Sequence, residues 1–209
     1  MHCRINLASV LVVALTTAFA TATGHAQSLY GFKVGDDLRV VAKSHPKPSS
    51  TEALGSFAAV KWDLPKGNAV SVTALPETGR IVFIESDWGG DITGATTEVP
   101  GMQFGTTTLG DIRRKFQSNG FGFKSNLGQA TDADLVFFNC YQIDSDPDLI
   151  AVFITTLPIK DVPVVDGKPK LDSGQGHLDA VILASLEYLK EIWGEERIFD
   201  ATYHPVPWK

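Results

Sequence analysis

Two four-residue turns, Pro65-Lys66-Gly67-Asn68 and Pro76-Glu77-Thr78-Gly79, restrict this chain more than any other feature. They separate three strand-like runs, Phe57–Leu64, Ala69–Leu75 and Arg80–Asp87. Connections this short force neighbouring strands antiparallel, so residues 57–87 should form a meander. A short helical stretch precedes it, opening at Val34-Gly35-Asp36-Asp37-Leu38 and running to about Lys43. Asp36 is placed to cap it, Leu38 and Val41 share a face, and Pro46 and Pro48 end it.

The same order of elements returns after Phe104-Gly105-Thr106-Thr107. A helix is expected from Leu109 to about Gln117, with a capping box between Thr108 and Asp111 and an apolar stripe of Leu109, Ile112 and Phe116. Strand-like runs follow at Phe121–Ser125, Asp134–Ile143 and Leu149–Leu157. Asp134–Ile143 is apolar on both alternating rows and reads as an interior strand covered on both sides. The final part differs. Pro158–Gly176 should be extended and irregular, His177–Trp193 helical with Gly194 as its C-cap, and the tail carries Tyr203, Pro205, Pro207 and Trp208. The expected fold is α+β. Two helix-plus-meander units, 27–100 and 101–157, form an antiparallel sheet with helices on one face, and 158–209 supplies a linker, a C-terminal helix and a tail.

Residues 1–26 read as a cleavable secretory signal. Arg4 provides the positive start, Leu7–Ala22 is uncharged and apolar, and Ala20-Thr21-Ala22 and Gly24-His25-Ala26 both offer small-x-small cleavage sites, the second preferred. The stretch is shorter than the roughly 20 apolar residues of a membrane span. Cys3 lies ahead of the apolar stretch, where a lipoprotein signal has no use for it. The expectation is a periplasmic or secreted protein with neither transmembrane segment nor lipid anchor. Cleavage would leave Cys140 as the only cysteine, so no internal disulfide could form. The formal net charge is −6 and becomes one more negative without Arg4. Arg113-Arg114-Lys115, the longest basic run, sits where a helix C-terminus favours cations. This balance argues against nucleic acid as a partner.

Gly35-Asp36-x-Leu38-x-x-Val41, followed by Pro46 and Pro48, resembles the opening of repeats in the β-lactamase-inhibitor-protein-like and SmpA/OmlA-like exported families. There a glycine-introduced helical segment leads into an antiparallel meander. The resemblance implies a non-catalytic protein that binds others through its sheet face and loops. The paired cysteines of the inhibitor repeats and the lipid-attachment cysteine of the SmpA/OmlA type are absent here, and no functional residue carries over.

No cofactor, metal site or catalytic residue is expected from the motifs. Asp144-x-Asp146-x-Asp148 has alternate carboxylates, but an EF-hand would need Gly at Leu149 and Glu at Thr155, so the run reads as an acidic hairpin loop. Cys140 lies mid-strand without a catalytic context and reads as buried and inert. His177, Asp179 and His204 could serve a periplasmic hydrolase or metal-dependent enzyme, and a cell-envelope assembly factor is a further alternative. The leading expectation is a binding protein with a protein partner. Its contact residues would be Lys61, Phe83 and Glu85 on the first meander, Asn139 and Tyr141 on the second, and Trp88 in the long Trp88–Gly101 connection, where it would serve as an aromatic anchor or as a cover for the core edge.

Overall fold

The computed structural model describes residues 27–166, 168–170 and 175–208. The expected signal segment and residues 167, 171–174 and 209 lie outside the described residues.

The elements in chain order are β1 (Ser28–Leu29), β2 (Phe32–Lys33), α1 (Leu38–Val41), β3 (Ser50–Leu54), β4 (Phe57–Asp63), β5 (Ala69–Ala74) and β6 (Ile81–Asp87). Then come α2 (Leu109–Phe116), β7 (Phe121–Phe123), β8 (Gly128–Ala130), β9 (Asp134–Ile143) and β10 (Asp146–Pro158). The chain closes with β11 (Val164–Val165), β12 (Lys168–Pro169), β13 (His177–Ser185), α3 (Leu186–Trp193) and β14 (Arg197–Phe199). Among the described residues, ten strands form one antiparallel sheet in the order β14-β7-β9-β10-β13-β6-β5-β4-β3, with β8 alongside β9. The fold is α+β and mostly sheet.

The turns act as their residues dictate. At Pro65–Asn68, Lys66 and Gly67 take φ of 68° and 79°, and Leu64 N donates to Asn68 O at 2.8 Å. Thr108 and Asp111 form the expected capping box at the start of α2. Asp37 rather than Asp36 caps α1, its side chain accepting from Arg39 N. Ser50–Leu54 adds an edge strand that its polar, exposed sequence did not announce.

The main departure is His177–Ser185. The expected helix there is a strand; only Leu186–Trp193 is helical. β13 pairs antiparallel with β10 and β6 and so joins the β3–β6 strands to the β7–β10 strands. Leu178, Ala180, Val181, Ile182, Leu183 and Ala184 are all buried, because both faces of the strand are covered. A strand covered on both faces is a continuous apolar run, whose spacing also satisfies a helix. The true helix start is marked by Ser185, whose side chain accepts from Tyr188 N at 3.3 Å.

Successive side chains point to opposite faces, and the register assigns them. One face carries Trp62, Val72, Ile84, Tyr141, Phe153, Val181 and Leu183, packed with Ile112 and Phe116 of α2, Phe104 of the connection and Val206 of the tail. The other carries Phe57, Cys140, Ile150, Val152, Ile182 and Ala184 beneath Tyr188 and Leu189 of α3. The helices therefore lie on both faces of the sheet, not one, because α3 reverses over the strand it continues. Alternation also slips in β6. A bulge pairs Ala74 with Ile81 and Thr73 with Phe83, so Val82 is the extra residue. Ile81 thereby joins Ile84 in the first core instead of sharing a row with Phe83.

Ser185→Ala separates the two readings of this region by sign. With Ser185 as N-cap, the substitution costs about 1 kcal/mol in urea unfolding. In a helix running from His177 it would lie mid-helix, and alanine would stabilise by a few tenths of a kcal/mol.

Candidate functional site

Only part of the second face is covered. α3 packs over Ile150, Val152, Ile182 and Ala184, while Phe83, Glu85, Asp87 and Ile154 stay half-buried and Lys61 is exposed. Register brings Lys61, Ser71, Glu85 and Ile182 into one row across four strands, and Asp87 lies beside Ala180 in the next. Phe83 closes this surface against α3, its ring 5.6 Å from that of Tyr188. Tyr188 also packs edge-on against Phe57 at 4.8 Å.

The charges on this surface are held apart. None of the five ion pairs among the described residues includes Lys61, Glu85, Asp87 or Asp179. Burial pushes the Glu85 carboxyl up to about 7, Asp87 adds repulsion, and Lys61 pulls the other way. Burial raises Asp87 too, opposed by Lys61 and reinforced by Asp179. A carboxyl held in this way accepts or donates a proton near neutrality and gains from any cationic or hydrogen-bonding group that approaches it.

Asn139 and Tyr141 do not join Lys61, Phe83 and Glu85. In the register Val152 pairs with both Cys140 and Ile182, and Ile182 with Glu85, so Cys140 shares the Glu85 face. Its neighbours Asn139 and Tyr141 point into the opposite core. Tyr141 is 0% exposed; its hydroxyl accepts from Asn139 Nδ2 at 2.6 Å and donates to Ser118 O at 3.2 Å. Because β9 is apolar on both rows, alternation alone had no polar row with which to choose its outer side.

Trp88 covers the core edge. Its Nε1 donates to Asp91 O at 3.1 Å, its ring meets His177 edge-on at 6.0 Å, and a Cβ on Gly105 would come within 2.4 Å of it. The connection it opens is packed: Ala95 and Val99, like Met102 and Phe104 just after it, are buried in the first core.

His177, Asp179 and His204 are each engaged separately. Both ring nitrogens of His204 lie on carbonyl oxygens, Pro205 O at 2.8 Å and Gln117 O at 3.0 Å. Asp179 accepts from Thr156 Oγ1 at 3.2 Å, and His177 lies against Trp88. Among the described residues, no three His, Cys, Asp or Glu side chains are arranged to hold a metal ion, the Asp144–Asp148 loop included. No helix among them is long and apolar enough to cross a membrane. Asp87 and Asp179 are the acids that reading Glu85 alone left out; Asp87 shares its parity, whereas Asp179 is the extra residue at the β10–β13 bulge.

Comparison with protein-family models, curated proteins and solved structures gave no match for this chain.

Two outcomes follow from these environments. Glu85 binds its proton more tightly in the folded protein than at its ordinary value of 4.5, so it favours the fold at low pH and loses that contribution as pH rises from 4.5 to about 7. Glu85→Gln should match the parent at pH 4 and exceed its stability at pH 8 by about 2 kcal/mol, measured by chemical denaturation at both pH values. Cys140 is 0% exposed and burial raises its thiol far above the usual range. A thiol reagent should label it slowly in native protein and rapidly in denaturant; equal rates would show that the strand opens.

Proposed function

We propose that this chain is an exported binding protein that holds a protein partner against the open part of its second sheet face. Lys61, Phe83 and Glu85 are the contact residues, with Asp87 beside them. The observation that carries this reading is the half-covered face itself: Phe83 beside carboxyls that lack an ion-pair partner, on strands braced from both sides. Desolvated charges and aromatic anchors of this kind contribute most when a partner completes them. Residues 27–100 and 101–157 are read as two helix-plus-meander units bridged by β13, in keeping with the resemblance to the inhibitor-like exported repeats. The part given to Asn139, Tyr141 and Trp88 passes to the core.

The test is capture from envelope extract with three forms of the exported chain. They are the parent, a Lys61→Glu/Glu85→Lys double variant, and a control Val40→Asp at a position 62% exposed elsewhere. A partner retained by parent and control and lost by the double variant supports the sheet-face reading. A partner retained equally by all three places binding elsewhere.

A further inference from the structure

At the other end of the sheet, β7 and β9 pair at a single position, Phe121 with Cys140, before β8 takes over beside β9. The break leaves a cavity of about 280 Å³. Gly120 shapes its edge: its φ is +72°, and a Cβ there would lie 2.5 Å from Cys140 O. Four polar side chains line the cavity: Arg113 of α2, Asn119, Asn139 and Asp200.

Two of these carry opposite charges that do not meet. The Nε of Arg113 is buried without a hydrogen-bond partner, and no ion pair among the described residues includes Arg113. Asp200 directs one oxygen, Oδ1, to Thr202 N at 2.9 Å, Thr202 Oγ1 at 2.9 Å and Asn119 Nδ2 at 3.2 Å, which leaves Oδ2 over. Around the mouth, Leu127 and Ile198 line the same cavity and are 47% and 48% exposed, while the Phe199 ring packs on Phe121 and Tyr203 on the opposite face. Large apolar side chains are seldom left together in water around a polar floor without a use.

We propose that this notch binds a small zwitterion with an apolar side chain, a free apolar α-amino acid. Its carboxylate meets Arg113, its ammonium meets Asp200, and its side chain lies on Leu127 and Ile198. A purely anionic ligand would face Asp200, and a purely cationic one Arg113; a dipolar ligand satisfies both. The volume, at the lower end of small-molecule sites, suits a single amino acid. The site lies apart from the Glu85 surface and does not rest on the function proposed for it.

Isothermal titration calorimetry on the full exported chain tests this with L-phenylalanine, L-leucine, N-acetyl-L-phenylalanine and L-phenylalanine amide. The free amino acids should bind with Kd below about 1 mM, and blocking either end should weaken binding about tenfold or more. Arg113→Met should remove binding of the free amino acids. Asp200→Asn should weaken them about tenfold while leaving the N-acetyl form unchanged. Ile198→Ala, at an exposed position, should weaken phenylalanine about threefold or more and serves if Arg113→Met does not fold, as judged by its thermal melt. No binding at about 10 mM would overturn the proposal. So would equal affinity for free and N-acetylated phenylalanine, or affinities unmoved by Arg113→Met, or by Ile198→Ala where that variant stands in.

Discussion

The backbone ladder of β13 is the interaction on which the rest of the structure depends. On one side it pairs Ala180–Ala184 with Phe83–Asp87, and on the other His177–Ser185 with Leu149–Thr156. Without it the β3–β6 meander and the β7–β10 group would be separate sheets with raw edges, each too small to bury its own apolar rows. The ladder also places α3: the strand ends at Ser185, the helix starts at once, and the only apolar surface within its reach is the second face. How much of that face stays open follows from where β13 stops.

The same strand explains what could be read from sequence and what could not. Elements with local punctuation were legible. The turns at Pro65 and Pro76, the Thr108–Asp111 capping box and the alternation in Phe57–Asp63 identify their own structures. β13 lacks such punctuation, because burial on both sides erases the polar row that would set its period. The bulge at Val82 and the inward turn of Asn139 and Tyr141 have a related cause, since parity is a relation to a neighbouring strand and not a property of one segment. Lys61 and Glu85 were legible as members of one outward row because polar residues recur at every second position there. Arg113 and Asp200 were not, since only the pairing of β14 with β7 brings the tail beside α2.

The open face is maintained against its electrostatic preference. Glu85, Asp87 and Asp179 repel one another within a partly desolvated surface, and one exposed lysine opposes them. The two cores carry that cost: Phe153, Ile182 and Leu183, all essentially inaccessible, pin the strands that display these carboxyls. A surface that keeps unfavourable charge on a rigid platform has little reorganisation left to undergo when that charge is finally satisfied.

The tail closes the molecule at Val206, which is 0% exposed, bridges to Ile143 and exchanges backbone bonds with Gln142 and Asp144. Together with β13 and β14, this means that the segments completing both cores leave a ribosome after the strands they cover. Until they emerge, the earlier strands have no partner that can bury them, and stable structure waits for them. A polypeptide with this arrangement stays unfolded until its β13 and Val206 segments can reach back to the strands made before them.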